Sequence, residues 1–256
     1  HDGRETRLDL QIWLPLLAED EMANPSMGYV LDHIAGQDAY QAAFKKLYPS
    51  EGITVHTVGD AIAAFEASLL SGNSRFDRWY FGGDKDALSE EEQAGFRIFT
   101  GKGGCSTCHA IGQDSALFTD HQFHDTGIGY RASMQSDRDY VIPLAPGVET
   151  RMSHREIQRF GEAPRNDVGR FEVTLTQEDR WAYKTPSLRD VSRTHPYMHD
   201  GSIPTLEAVV AYYDKGAVPH QGLSPQIKPL NLSDQEKSDL AAFLCTLDGQ
   251  TPAPSR

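Results

Sequence analysis

The stretch "GKGGCSTCHAIG" (residues 101–112) decides the fold. Two cysteines, Cys105 and Cys108, stand two residues apart, and His109 follows directly. Cys-x-x-Cys-His is the attachment pattern for c-type haem. The two thiols add to the porphyrin vinyl groups as thioethers, and the imidazole supplies a nitrogen to iron. The spacing suits this chemistry because it holds both sulfurs and the ring along one edge and one face of the porphyrin. A zinc knuckle would call for a second ligand pair, and the chain has only one further cysteine, Cys245. A thioredoxin-like redox pair would call for a βαβ context, which the flanking pattern lacks. Haem fits best.

The flanks support a cytochrome c domain. In "LSEEEQAGFRIF", Ser89 and Glu92 form a capping box, and Phe96 and Phe99 lie on one face of the helix running into the motif. In "LNLSDQEKSDLAAFLCTLDG", Ser233 and Glu236 repeat the box, and Leu240, Phe243, Leu244 and Leu247 supply the apolar stripe. Cys245 reads as a small buried hydrophobe in that pattern. Upstream, residues 1–50 read as short helices and loops around "LPLLAEDEMANP". "TVGDAIAAFEASLLSG" (57–72) predicts a helix with Val58, Ile62, Phe65 and Leu69 in one stripe, closed by Gly72. "NSRFDRWYFGGDKDA" (73–87) reads as a connector, and residues 113–200 show little periodicity.

The chain of 256 residues has room for two small domains. No apolar run reaches the length of a bilayer span. A net charge of −13 argues against nucleic acid and is compatible with a basic protein partner. The first residue is His1, not Met, so a leader has been removed or the chain is a piece of something longer.

Three separated segments resemble the bacterial dihaem cytochrome c peroxidase and MauG family: "HDGRETRLDLQIWLPLLAEDEM" (1–22), "FTDHQFHDTGIG" (118–129) and "YKTPSLRDVSRTHPYMHDGSIPTLEAVVAYYDKG" (183–216). Residues 131–170 look like an insertion. The resemblance implies a mainly α fold of cytochrome c-like domains with long irregular loops. Residues 1–78 would be the remnant of a first, peroxidatic domain, and residues 79–256 a complete second one. A second haem is then expected upstream of residue 1.

The resemblance also implies roles. Glu21 falls where the family has an acid–base glutamate, which takes a proton from peroxide and returns it to the departing oxygen so that water leaves. His1 falls where the family often has a tryptophan between its haems. Tyr213 matches the position of the sixth haem ligand, with Met198 as its rival and Tyr212 as the neighbour most easily confused with it. Arg189 is placed as a propionate partner and His124 near the haem. Thr194 and Pro196 would offer backbone carbonyls to a calcium ion. The implied activity is reduction of hydrogen peroxide with electrons from a small cytochrome c or cupredoxin. A MauG-like oxidase acting on a partner protein and a monohaem electron carrier are the alternatives. Covalent haem implies export, hence the periplasm, and a homodimer is compatible with all of this.

Overall fold

The computed structural model describes residues 1–134, 139–153, 156–157, 159 and 167–250. Much of the expected insertion, residues 135–138 and most of 154–166, lies outside the described residues. The fold is mainly α. Two compact units are distinguished, residues 4–70 and residues 71–250 together with 1–3. No helix among the described residues is long and apolar enough to cross a membrane.

In the smaller unit, α1 (Leu8–Gln11), α2 (Trp13–Leu17), α3 (Met27–Ala35), α4 (Asp38–Leu47) and α5 (Val55–Ser68) surround a core of Ile12, Trp13, Val30, Phe44 and Val58. Thr54 and Thr57 cap α5 reciprocally. The α1 backbone lies on α5 at Gly59, where a Cβ would collide with the Asp9 carbonyl. The expected α5 stripe is only half used. Val58 is buried and Ile62 packs against the core, but Phe65 and Leu69 are about half exposed (54% and 50%). The helix ends at Ser68, before Gly72.

The larger unit is organised by α7 (Glu90–Thr100) and the helix Asp234–Leu244. Both carry the expected serine–glutamate capping boxes. They meet at Gly95, where a Cβ would strike the Asp239 carbonyl oxygen and Phe243. Phe76, Phe99, Phe118, Phe243 and Leu247 are fully buried around this contact. The segment expected as a connector instead forms α6 (Arg75–Tyr80), capped by Ser74 and Asp77. Its Phe76 ring stands 5.1 Å from Phe118 and 5.9 Å from Phe243. A six-residue helix is too short to show periodicity in sequence. The expected domain boundary followed residue 78, whereas α6 packs within the larger unit.

Cys245 corrects another expectation, for it is exposed. It opens the single turn Cys245–Leu247, one step off the stripe formed by Leu240, Phe243, Leu244 and Leu247. Order in the weakly periodic stretch comes from two strand pairs and from short helical segments such as Ile128–Met134 and Phe171–Thr174. β1 (Phe123–Asp125) runs antiparallel to β4 (Ala182–Lys184), with His124 opposite Tyr183. β2 (Asp139–Ala145) pairs with β3 (Val148–Ser153). The backbone of His1 extends the first pair, its carbonyl accepting from Lys184 N at 2.8 Å.

Candidate haem site

Helix α7 delivers the chain to Gly101, and Gly104 takes a left-handed conformation (φ +61°) before the tight turn Cys105–Thr107. That positive φ suits glycine, which has no Cβ to clash. The turn closes when His109 N donates to the Cys105 carbonyl at 2.9 Å, bringing both thiols and the imidazole into one loop. Neither cysteine is in a disulfide. Burial pushes the Cys105 thiol up to about 11 and raises Cys108 as well. A redox-active Cys-x-x-Cys pair depends on the opposite shift.

His109 Nδ1 lies 2.8 Å from the carbonyl oxygen of Phe118. A carbonyl can only accept, so Nδ1 carries the hydrogen and Nε2 keeps its lone pair for a metal. Phe118 is fully buried, which fixes the acceptor and with it the ring plane. Burial lowers the proton affinity of the imidazole, favouring the neutral, ligating form. Two unpaired cysteines and an imidazole with its tautomer set by a backbone carbonyl fit a covalently held haem.

The segment after the motif is pinned to the chain around 182–186. Thr119 Oγ1 donates to the Thr185 carbonyl at 2.7 Å, and Thr185 N donates to the Gln122 carbonyl at 2.9 Å. His124 Nε2 meets Asp120 Oδ2 at 2.8 Å. Burial works to raise Asp120, but hydrogen bonds from His124 and the Gln122 amide outweigh it and hold the carboxyl below its ordinary range. Cys108, Asp120 and His124 present ligand atoms within 4.8 Å of one another. A thioether at Cys108 has no thiolate to offer a second metal, so this cluster reduces to an Asp120–His124 pair beside the haem loop.

Tyr213 lies near the end of the helix Leu206–Asp214, which Thr205 caps. Its hydroxyl is pushed well above the usual tyrosine range, first by burial and then by Tyr212, Cys105 and Cys108, with the Thr126 side chain opposing. Tyr212 donates to the Thr126 carbonyl at 2.7 Å. Met198 is half-buried, with left-handed backbone (φ +71°), in the turn between the bridged residues Tyr197 and Ile203.

Arg189 has different partners from the expected propionate. Its Nη1 and Nη2 donate to the two Asp77 oxygens at 2.7 Å each, Nε donates to the Ala116 carbonyl at 2.8 Å, and Nη1 also reaches Ser74 Oγ at 3.2 Å. The guanidinium thus ties α6 to the haem-loop segment, with one Nη2 hydrogen left over. Burial opposes ionisation of Asp77, but Arg189 and Ser74 prevail and hold its carboxyl below the usual range. Asp77 had a signal only as the second member of the Ser74 capping box, Asp120 had none of its own, and the Phe118 carbonyl could not have had one.

Thr194 and Pro196 are exposed, just beyond the turn Val191–Arg193 and around the cis His195–Pro196 bond. Glu21 belongs to the other unit and is exposed. It sits on the turn after α2, where Glu21 N donates to the Ala18 carbonyl at 3.1 Å and Asn24 Nδ2 to the Leu16 carbonyl at 2.8 Å.

Residues 1–86 match the family model described as di-haem cytochrome c peroxidase. The chain is 36% identical over 255 residues to the methylamine utilization protein MauG of Methylorubrum extorquens, covering 98% of this chain and 61% of that protein. The chain belongs to the di-haem cytochrome c peroxidase and MauG family. It is also 34% identical over 215 residues to the cytochrome-c peroxidase IdrP1 of Denitromonas iodatirespirans, covering 83% of this chain and 55% of the relative. A crystal structure of a MauG-like protein associated with microbial copper homeostasis superposes with a TM-score of 0.73 at 28% identity, over 95% of this chain and 69% of the other. This family member spans about three fifths of the length of the first curated relatives it matches.

Proposed function

We propose that this chain is part of a c-type haem peroxidase that reduces hydrogen peroxide to water with two electrons from a small cytochrome c or cupredoxin. The observation that carries the proposal is the 2.8 Å contact between His109 Nδ1 and the Phe118 carbonyl, on a loop that presents two unpaired cysteines. Cys105 and Cys108 would hold the haem by thioether bonds, and His109 Nε2 would be its protein nitrogen ligand. The bound haem supplies one-electron redox chemistry. Tyr213 would supply the other iron ligand; an anionic phenolate oxygen there would stabilise the ferric state, whereas a thioether from Met198 would raise the potential. His124 orients the haem loop through Asp120.

Glu21 moves the protons. It accepts one from peroxide and returns it to the departing oxygen, so the leaving group is water rather than hydroxide. A second haem, which the di-haem family implies, would be the reactive partner of this carboxylate. Calcium bound by the Thr194 and Pro196 carbonyls, a periplasmic location and a homodimer complete the proposal. Family membership and the covalent attachment chemistry support them.

A MauG-like oxidase acting on a partner protein is the second reading. It is favoured by a tyrosine, Tyr213, standing where the family resemblance puts the sixth ligand. A histidine at residue 1 is harder to oxidise than an indole and counts against long-range transfer through that position. The deciding assay is peroxide-dependent oxidation of a reduced small cytochrome by the full-length protein. Peroxidase function predicts rapid turnover that Glu21→Gln reduces by a factor of about 100 or more with the haem content unchanged. Turnover unaffected by Glu21→Gln would refute the role given to this residue.

A further inference from the structure

We propose that the buried pair Asp125–His220 is a positioning device for the sixth haem ligand, acting through Thr126 and Tyr212 on Tyr213; this rests on the reading of Tyr213 as that ligand.

The two side chains are nearly inaccessible, at 3% and 5% exposure for Asp125 and His220. Asp125 Oδ2 and His220 Nε2 stand 3.2 Å apart, out of line for a good hydrogen bond, and neither atom has another partner. His220 Nδ1 accepts from Gly222 N at 3.2 Å, so the ring hydrogen sits on Nε2, facing the carboxylate. Tyr130 stacks on the imidazole with ring centroids 4.0 Å apart and planes 6° from parallel. Placing a carboxylate and an imidazole in such a dry site is costly, and such pairs specify one arrangement more than they stabilise the fold.

The arrangement they specify is the turn at residues 125–127. Asp125 Oδ1 accepts from Gly127 N at 2.8 Å, and the Asp125 carbonyl accepts from Ser224 N at 3.0 Å. Gly127 has φ +80°, and a Cβ there would press on Val218 and on the Tyr212 hydroxyl. The Thr126 carbonyl accepts from that hydroxyl at 2.7 Å, which fixes the rotation of the helix end carrying Tyr213. The dyad holds the turn, the turn holds Tyr212, and Tyr212 sets where its neighbour points. Without the His220 N–H, Asp125 Oδ2 is buried with no donor facing it, and the turn shifts to relieve it.

The test uses the complete haem-loaded protein and the ferric absorption and electron paramagnetic resonance signals of the His109 haem. Tyr213→Phe removes the tyrosinate-ligated signal. His220→Phe keeps a ring against Tyr130 but loses the donor, and the ligated fraction is expected to fall at least about twofold. His220→Gln, which restores an N–H toward Asp125, is expected to recover it. If His220→Phe does not fold, Tyr212→Phe breaks the last link of the same chain and is expected to lower the same signal. A parental spectrum in His220→Phe or Tyr212→Phe, with Tyr213→Phe altered, overturns the positioning role alone. Equal loss in His220→Phe and His220→Gln overturns it as well. A parental spectrum in Tyr213→Phe overturns the ligand assignment and the proposal with it.

Discussion

In residues 71–250, α7 meets the helix Asp234–Leu244 over Gly95, and four buried phenylalanine rings close around the contact. In residues 4–70, α1 meets α5 over Gly59 in the same manner, but only five apolar residues are buried behind it. Meanwhile Leu8, Leu14, Met22, Met27, Tyr29, Leu47, Phe65 and Leu69 of this smaller unit are exposed. The same device, backbone approach at a glycine, thus yields two cores of very different depth. Apolar area removed from water sets stability, at about 25 cal/mol per Å². The larger unit therefore carries most of it, and that unit also carries the haem loop. A rigid frame around His109 holds its imidazole in one plane, through the carbonyl of the buried Phe118.

The largest predicted effect tests the deep core. Phe243→Ala removes a fully buried ring that touches Phe76, Phe96 and Phe99, and should cost about 3–5 kcal/mol in chemical denaturation. Next, Asp77→Ala strands the Arg189 guanidinium in a mostly buried site and should cost about 2 kcal/mol. Asp77→Asn sharpens this through pH. The folded-state pKa of Asp77 is depressed, so its stabilisation is full above the ordinary aspartate value of about 4 and is lost as pH falls through the folded value. The asparagine variant should lose that part of the acid dependence in denaturation curves measured below about pH 5. In the shallow core, Val58→Ala should cost about 2 kcal/mol, read as faster amide exchange in α5. Phe65→Ala should stay within about 0.5 kcal/mol of the parent. A Phe65 effect as large as that of Phe243 would break the comparison.

How much of this was legible depended on range. The Cys105–His109 motif and the boxes at Ser89 and Ser233 are local, and each was found where the sequence put it. Helix α6 was missed because its six residues hold glycine-flanked aromatics and acids without a repeat, although Ser74 and Asp77 form a box of their own. Cys245 was misplaced because one step along a helix turns a side chain by about 100°, off the buried stripe. Phe65 and Leu69 show the converse: a correct period does not guarantee that something lies opposite it. Arg189 was recognised as a residue with a task, but its partner Asp77 is far away in sequence. So are Asp125 and His220, which only the β1–β4 pairing and the loop after the Leu206–Asp214 helix bring together. Long-range pairs of single charged residues leave no periodic trace.

The central claim is covalent haem at this one loop. Mass spectrometry of the denatured, acid-extracted chain, after expression with haem-attachment machinery, measures it directly. The account predicts a mass increase of one haem per Cys105–His109 loop, located on the peptide carrying Cys105 and Cys108 and abolished by replacing both cysteines with serine. A peptide recovered at its unmodified mass would contradict it.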